Sequence, residues 1–347
     1  MILSIQFLRA AAALMVLGFH AVYTANVYGG YSFAFNNAGA AGVDVFFVIS
    51  GFIITYVTRA GADSPARFLM RRLIRIAPPY WFYTTVTVCI LLAMPSAYSH
   101  LKFDFEHVLF SFLFLLSANN VNAVGTVLGV GWSICYEMYF YLLFAAFMLV
   151  PKRFAMAGMA CVILLGALLE HVVAVPPFAQ VALSALPLEF LAGCLLAKCY
   201  LRGVFLPRAI AIAAVAGGCA LIYWSGTADV VASGRDSWRV VYFGLPAICV
   251  VAGLLSLDAR GWIRFPRLAI SIGDASYSLY LSHQFLLFAI GKGWKMLGLH
   301  ERLPAIAFLT VAVTISVFAG MLAYRWFERP VTRWLNQAWQ AQHAAIA

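Results

Sequence analysis

Long apolar runs constrain this chain more than any other feature of its sequence. Ten stretches of about 20 mainly apolar residues follow one another, and only 10% of the 347 residues are charged. An α-helix needs about 20 apolar residues to cross a bilayer. Because only helices and closed barrels satisfy their own backbone in hydrocarbon, the runs predict an all-α, polytopic integral membrane protein. The predicted spans are 5–27, 40–58, 79–96, 131–150, 154–174, 179–200, 207–226, 238–257, 269–291 and 303–326.

The basic residues predict how these helices are oriented. The apolar stretch 107–118 is too short to cross alone and precedes polar Asn119 and Asn120, so we expect a re-entrant or interfacial segment there. With that stretch not crossing and both termini cytoplasmic, 16 Lys and Arg residues lie on the inner side and 6 on the outer side, as the positive-inside rule requires. The six outer residues are Lys102, Arg235, Arg239, Lys292, Lys295 and Arg302.

Composition also bounds the domains and partners. No linker rich in Gly, Pro or Ser divides the chain, so we expect one membrane domain over 1–335 and a short cytoplasmic tail over 336–347. The net charge of +10 comes from basic residues in short loops, and no segment is large enough to form a soluble nucleic-acid-binding domain. The seven cysteines have no metal-ligand spacing and lie mostly in apolar runs, so neither disulfides nor a metal are expected.

Two ionisable residues of the first run share a helix face. Arg9 and His20 are eleven positions apart, which places them about 16 Å apart along the axis and on one side of a helix. A charge inside a membrane needs a partner or a purpose. His20 is either a catalytic group or an interhelical hydrogen-bonding group. Asp44, at the outer end of the second run, either orients the His20 imidazole or caps its own helix.

Three further blocks carry polar side chains. Arg71, Arg72 and Arg75 form the densest charge, in a segment we predict to be a loop, and either bind the phosphates of a nucleotide-bearing donor or attract anionic lipid. Glu137 opens the fourth run near the expected depth of His20. The aromatic residues beside it, Trp132 and Tyr136, have rings that can stack on sugars. His283 is a second histidine placed in an apolar run.

These blocks, in this order, resemble the acyltransferase-3 family of bacterial membrane O-acyltransferases, and within it the exopolysaccharide (succinoglycan-type) O-acetyltransferases. The similarity covers about 5–335. Its blocks are Arg9 and His20, GVDVFFVISGF at 42–52, RRLIR at 71–75 with Pro78 and Tyr80, WSICYE at 132–137, SYSLYLSH at 276–283 and FERP at 327–330.

The resemblance implies transfer of an acetyl or other short acyl group from cytoplasmic acyl-CoA, such as acetyl-CoA, to a hydroxyl of an exopolysaccharide or lipid-linked saccharide. It implies a bacterial inner-membrane enzyme with His20 as the catalytic base. The expected catalytic residues are His20, Arg9, Asp44 and Glu137. The expected acyl-CoA-binding residues are Arg71, Arg72, Arg75 and Tyr80. The expected saccharide-binding residues are Trp132, Tyr136 and His283.

Two other functions use intramembrane charges equally well. A saccharide transporter or flippase would also place Arg, His, Asp and Glu inside the membrane. The chain shows no inverted repeat, and its cytoplasmic Arg cluster is a single dense block, both of which favour the enzyme. A structural subunit of an export complex would tolerate loss of His20.

Overall fold

The computed structural model describes residues 2–34, 36–59, 61, 64–94, 102–227 and 238–344. Arg235, which was counted among the outer basic residues, lies outside the described residues, as do the last three residues of the predicted tail. The helices are α1 Leu3–Val27, α2 Gly42–Val57, α3 Pro65–Ala93, α4 Phe105–Phe112, α5 Trp132–Phe147, α6 Lys152–Leu169, α7 Gln180–Leu183, α8 Pro187–Leu201, α9 Arg208–Thr227, α10 Leu245–Ala259, α11 Arg267–Asp274, α12 Ser276–Met296, α13 Leu299–Arg302, α14 Ala305–Ala323 and α15 Arg329–Ala344.

Other elements are short. Strands β1 Ser117–Ala118 and β2 Val124–Gly125 pair antiparallel and are the strands of the described part of the chain. The predicted all-α class therefore needs only this pair of two-residue strands as an exception. Single 3₁₀ turns cover Asn37–Ala41, Gly129–Gly131 and Pro177–Ala179. Two π-helical turns cover Val240–Gly244 and Tyr324–Glu328.

Nine helices of the described chain are long and apolar enough to cross a membrane. They overlap nine of the ten predicted spans, and the remaining one, 269–291, falls on α11 and the 21-residue α12. The predicted re-entrant stretch overlaps the eight-residue α4, which is too short to cross. The chain is therefore a multi-pass helical membrane protein, while the number of crossings and the side of the termini stay predictions.

One boundary prediction is wrong. The Arg-rich segment before residue 79 was expected to be a loop, but α3 begins at Pro65 and contains all of it. Ser64 caps the helix, because its hydroxyl accepts a hydrogen bond from the backbone N–H of Arg67 at 3.2 Å. Proline at the first helical position adds to this start signal. The three arginines therefore project from a helix and are half-buried.

Large apolar side chains on the outer faces of the helices agree with a lipid environment. Leu142, Leu165, Ile306 and Phe318 are between 56% and 67% exposed. Water would disfavour so many exposed apolar side chains on consecutive helices, whereas acyl chains solvate them.

The chain divides into two compact units, which we describe separately. The first comprises Met1–Val57 and Ala192–Trp326 and contains α1, α2 and α9 to α14. Its helices approach closely at small residues. A side chain at Gly42 of α2 would overlap the Ala12 carbonyl of α1, and one at Gly253 of α10 would overlap the Ala211 carbonyl of α9. Small residues at such crossings let the backbones of membrane helices touch.

The second unit comprises Thr58–Leu191 and Phe327–Ala347. Its helices α3, α5 and α6 are followed by the amphipathic α15, which packs on α3. Between α3 and α5 the chain forms α4 and the β1–β2 hairpin. The Asn119 side chain closes this hairpin by accepting hydrogen bonds from the N–H groups of Val121 and Ala123, each at 3.0 Å. This turn places Ser117 against α4.

Candidate active site

The first unit contains a pair of histidines from α1 and α12. Nε2 of His283 lies 3.1 Å from Nδ1 of His20, and the ring centroids are 4.9 Å apart. His283 is buried at 1% exposure, whereas His20 is half-buried. Each ring also contacts the carbonyl four residues earlier on its own helix, Val16 at 3.0 Å and Leu279 at 3.2 Å.

These contacts assign the hydrogens of both rings. A carbonyl oxygen only accepts, so the ring nitrogen that contacts it carries the hydrogen. Nδ1 of His283 therefore donates to Leu279, and its Nε2 holds the lone pair. The Nδ1–H of His20 is shared between two acceptors, the Val16 carbonyl and the Nε2 lone pair of His283. Nε2 of neutral His20 consequently keeps a lone pair of its own, with no hydrogen-bond partner in the described part of the chain.

Arg9 lies on the same helix as His20. α1 is continuous between them, so the spacing argument for a shared face applies. Arg9 is 9% exposed, and its Nη1 donates to Oε1 of Gln6 at 3.3 Å. A cation is thereby held inside the helix layer about three turns from the histidine pair.

Asp44 makes a buried ion pair with Arg239. Nε of Arg239 donates to Oδ1 of Asp44 at 2.9 Å, and Nη2 donates to Oδ2 at 2.6 Å and to the carbonyl of Ala40 at 2.8 Å. The two side chains are 0% and 3% exposed. Both carboxylate oxygens thus accept hydrogen bonds from Arg239. The side chain that shares a hydrogen bond with the His20 ring is that of His283. The catalytic role expected for Asp44 stays a prediction.

Sequence reasoning missed this pair because Arg239 was counted only as an outer loop charge. One signal was present: an Asp and an Arg at the ends of different apolar runs each need a neutralising partner in a membrane. The 195 positions between them gave no reason to join them.

The second unit contains the Arg-rich block and the Glu137 block. The guanidinium of Arg72 lies 5.5 Å from the ring centre of Phe68 and 5.8 Å from that of Tyr141. The Tyr141 hydroxyl donates to Oε1 of Glu137. Tyr141 therefore links the cation of α3 to the carboxylate of α5, a connection that sequence reasoning did not identify.

Arg72 has an unused donor. Its Nε is buried and has no hydrogen-bond partner among the described residues. A buried guanidinium N–H without an acceptor is costly, so the atom fits an anionic ligand. Arg71 and Arg75 lie within one turn of it on α3 and are also half-buried.

The expected ligand-contacting aromatics are mainly interior. Tyr80 is 0% exposed and its hydroxyl donates to the Ser111 carbonyl at 3.0 Å, which joins α3 to α4. Tyr136 is 1% exposed and meets the half-buried Trp132 edge-on, with centroids 5.9 Å apart. The ligand-binding roles expected for these three residues stay predictions.

The predicted site residues therefore fall into two groups. The first unit contains Arg9, His20, Asp44 and His283, and the second contains Arg71, Arg72, Arg75, Tyr80, Trp132, Tyr136 and Glu137. Within the described chain, no group of three or more His, Cys, Asp or Glu side chains is arranged to hold a metal ion.

Comparison with known proteins found a matching family model and similar proteins. A family model described as an acyltransferase domain matches residues 2–327. The chain is 35% identical over 301 residues to the exopolysaccharide production protein ExoZ of Rhizobium meliloti (strain 1021), covering 85% of this chain and 90% of that protein. It is 26% identical over 282 residues to Nodulation protein 10 of Rhizobium leguminosarum bv. viciae, covering 74% of each. No solved structure matches the chain.

The family match spans nearly the whole chain and includes both histidines of the pair, the Asp44–Arg239 pair and the Arg-rich helix. The chain belongs to the acyltransferase-3 family and is a multi-pass membrane acyltransferase.

Proposed function

We propose that this protein transfers an acetyl or other short acyl group from acyl-CoA to a hydroxyl of an exopolysaccharide or its lipid-linked precursor, with His20 as the general base. The observation that carries the proposal is the free lone pair on Nε2 of His20, which the contact with His283 leaves available. Support for a saccharide acceptor comes from the relative whose name denotes exopolysaccharide production. Family membership favours this enzyme over a flippase.

His20 would act by proton transfer. A sugar hydroxyl is a poor nucleophile until a base takes its proton as it attacks. Nε2 of His20 takes that proton while the hydroxyl oxygen bonds to the thioester carbonyl carbon. The tetrahedral intermediate then expels the CoA sulfur, which receives the proton from His20. The products are an O-acyl sugar and free CoA, and His20 returns to its neutral form.

His283 would position the base and stabilise its charged form. While His20 carries the extra proton, its Nδ1–H still points at the lone pair of His283 Nε2, 3.1 Å away. A hydrogen bond from an imidazolium is stronger than one from the neutral ring, so this contact stabilises the state in which the proton has been taken. We therefore assign His283 a positioning role rather than the saccharide contact expected from the sequence.

The donor would bind through α3. Three phosphate groups make CoA strongly anionic, and Arg71, Arg72 and Arg75 offer a concentrated positive charge with an unused Nε–H on Arg72. Glu137 would hold the cluster in place through Tyr141 and Arg72. In this proposal Arg9 lines the path of the pantetheine arm towards His20, and Trp132, Tyr136 and Tyr80 shape the binding region.

The proposed membrane orientation follows from the basic loops. Both termini and the start of α3 would lie in the cytoplasm, where acyl-CoA is made, and His20 would lie towards the outer side of the bacterial inner membrane. The acceptor would approach from that outer side.

Polysaccharide chemistry tests the proposal in the organism that makes this protein. We expect a deletion strain to lose one acyl substituent from its exopolysaccharide, as read by mass spectrometry and NMR. Wild-type protein should restore the substituent, while a His20→Gln variant present at equal amount in the membrane should not. An unchanged polysaccharide in the deletion strain, or full restoration by His20→Gln, would refute the proposal.

A further inference from the structure

A cavity of about 360 Å³ lies wholly within the second unit, and its lining includes no residue predicted for catalysis or for CoA. Its walls come from the first turn of α4, from β1 and from the 3₁₀ turn at Pro177–Ala179. This volume is in the range of small-molecule sites, about 300–1,000 Å³. The lining residues are Asp104, Glu106, His107, Phe110, Leu116, Ser117, Ala118, Pro176, Pro177 and Phe178.

His107 provides a polar group to this cavity. Its side chain is 2% exposed, and Nδ1 lies 2.6 Å from the Ser117 hydroxyl, which fixes the ring. The other nitrogen, Nε2, is buried and has no hydrogen-bond partner within the described ranges. Buried polar atoms in proteins nearly always have a partner, so this nitrogen is an unsatisfied polar atom in a residue of the cavity wall.

Two carboxylates add hydrogen-bond acceptors. Oδ1 of Asp104 caps α4 by accepting from the N–H of Glu106 at 2.9 Å, while its second oxygen makes no hydrogen bond to a described residue. The Glu106 side chain is exposed at the same opening and likewise bonds no described residue. Carboxylates bind the hydroxyl groups of polyols by accepting hydrogen bonds from them.

The remaining wall is apolar. Phe110, Phe178 and two prolines present flat carbon surfaces to the cavity. A sugar ring has the matching surfaces, since its C–H face packs on an aromatic ring while its hydroxyls bond polar groups at the edge.

The charge of the cavity favours the acceptor over the donor as its ligand. Its described lining contains two acidic residues and neither Lys nor Arg. The phosphates of CoA would be repelled there, whereas a neutral sugar would not. The two lining segments, after α3 and after α6, are also both predicted to lie on the outer side, where the acceptor is expected.

We propose that this cavity, formed around His107, Glu106 and Phe178, is a binding subsite for one neutral sugar residue of the acceptor saccharide. This inference rests on the proposed function and names where its second substrate is held. The subsite binds sugar and takes no part in the proton transfer at His20.

Steady-state kinetics of variants at exposed lining residues, measured with the acceptor, test the subsite. The probe is an oligosaccharide cut from the producing strain's own exopolysaccharide and stripped of ester groups by mild alkali, offered with acetyl-CoA to the purified full-length protein in lipid nanodiscs. Phe178→Ala and Glu106→Gln each should raise the KM for the oligosaccharide by about tenfold, as expected for one lost contact, and leave the KM for acetyl-CoA unchanged. Phe178 is 52% exposed, and the matched control is Phe103→Ala, which is 49% exposed and outside the cavity.

A second measurement separates this inference from the proposed function. Oligosaccharide binding is measured by calorimetry on the His20→Gln protein, which needs no turnover. We expect binding to be retained in His20→Gln and weakened about tenfold when Phe178→Ala or His107→Gln is added. If Phe178→Ala and Glu106→Gln bind and turn over the oligosaccharide like Phe103→Ala, the subsite is wrong, even if the loss of transfer in His20→Gln confirms the proposed function. If the cavity variants lose binding but His20→Gln still transfers acetyl, the subsite stands and the role of His20 fails.

Discussion

The Asp44–Arg239 pair gives the sharpest prediction of stability. Removing the charge of one partner by Asp44→Asn leaves a guanidinium that is 3% exposed without its counter-charge. Two charge-assisted hydrogen bonds, of 2.9 Å and 2.6 Å, are lost or weakened. At about 1.5–3 kcal/mol for each, their sum is about 3–6 kcal/mol. Breaking a buried ion pair by removing one partner costs about 3–5 kcal/mol, which agrees.

The assay is a thermal midpoint in nanodiscs at one fixed heating rate, because membrane proteins of this size unfold irreversibly. We expect Asp44→Asn and Arg239→Gln each to lower the midpoint by about 5–10 °C. The double variant removes both charges, so its midpoint should lie above that of either single variant. A fall of under 2 °C in Asp44→Asn, or strictly additive losses in the double variant, would refute the reasoning.

Three further predictions follow from other parts of the molecule. Arg72→Gln should raise the KM for acetyl-CoA by about tenfold and leave the acceptor KM unchanged, because an N–H that binds phosphate is lost. Equal acetyl-CoA KM values in the variant and the wild type would exclude Arg72 from the donor site. Burial lowers the pKa of His107 below 6.5, although the charge of Asp104 acts in the opposite direction. The neutral ring therefore contributes stability to the folded state above about pH 6.5, and this stability is lost as the pH falls below that value. The thermal midpoint should therefore fall more between pH 7.5 and about pH 5 in the wild type than in His107→Gln, and equal falls would contradict the assignment. A reporter fused beside Arg264 should read cytoplasmic, and a periplasmic signal there would reverse the proposed orientation.

The spanning helices could be predicted because each one is a local signal. A run of about 20 apolar residues needs no information from elsewhere in the chain to be a membrane helix. The start of α3 was missed because Arg67, Arg71 and Arg72 lower the apolar character of a segment whose helix is fixed instead by the Ser64 cap. Hydropathy therefore indicated only the membrane-embedded part of α3, whereas the capping residue indicated where the helix begins.

The candidate site could be predicted only as a set of residues, without its pairings. His20 and His283 are 263 positions apart, and Asp44 and Arg239 are 195 apart. The depth of a residue along a helix can be counted from the sequence, and this count suggested Asp44 as the partner of His20. Which helices are neighbours depends on packing at small residues such as Gly42 and Gly253, and a single sequence does not reveal it.

The cavity beside His107 was not anticipated for a related reason. His107 lies in a stretch predicted only as a short re-entrant or interfacial segment, and nothing there resembled a motif. Its environment depends on the hairpin turn at Asn119, which returns the chain so that Ser117 meets α4. Such a contact between a short helix and a two-residue strand has no periodic signature.

The central claim is that Nε2 of His20 takes the proton of the acceptor hydroxyl. Single-turnover transfer of labelled acetyl to the oligosaccharide tests it most directly, using wild-type, His20→Gln and His283→Leu proteins matched in thermal midpoint. Loss of a general base costs about 10²–10⁴-fold in rate, and we expect His20→Gln to fall in that range with its binding of acetyl-CoA unchanged. His283→Leu should lose less of the rate and bind both substrates as the wild type does. Transfer by His20→Gln within tenfold of the wild-type rate would contradict the claim.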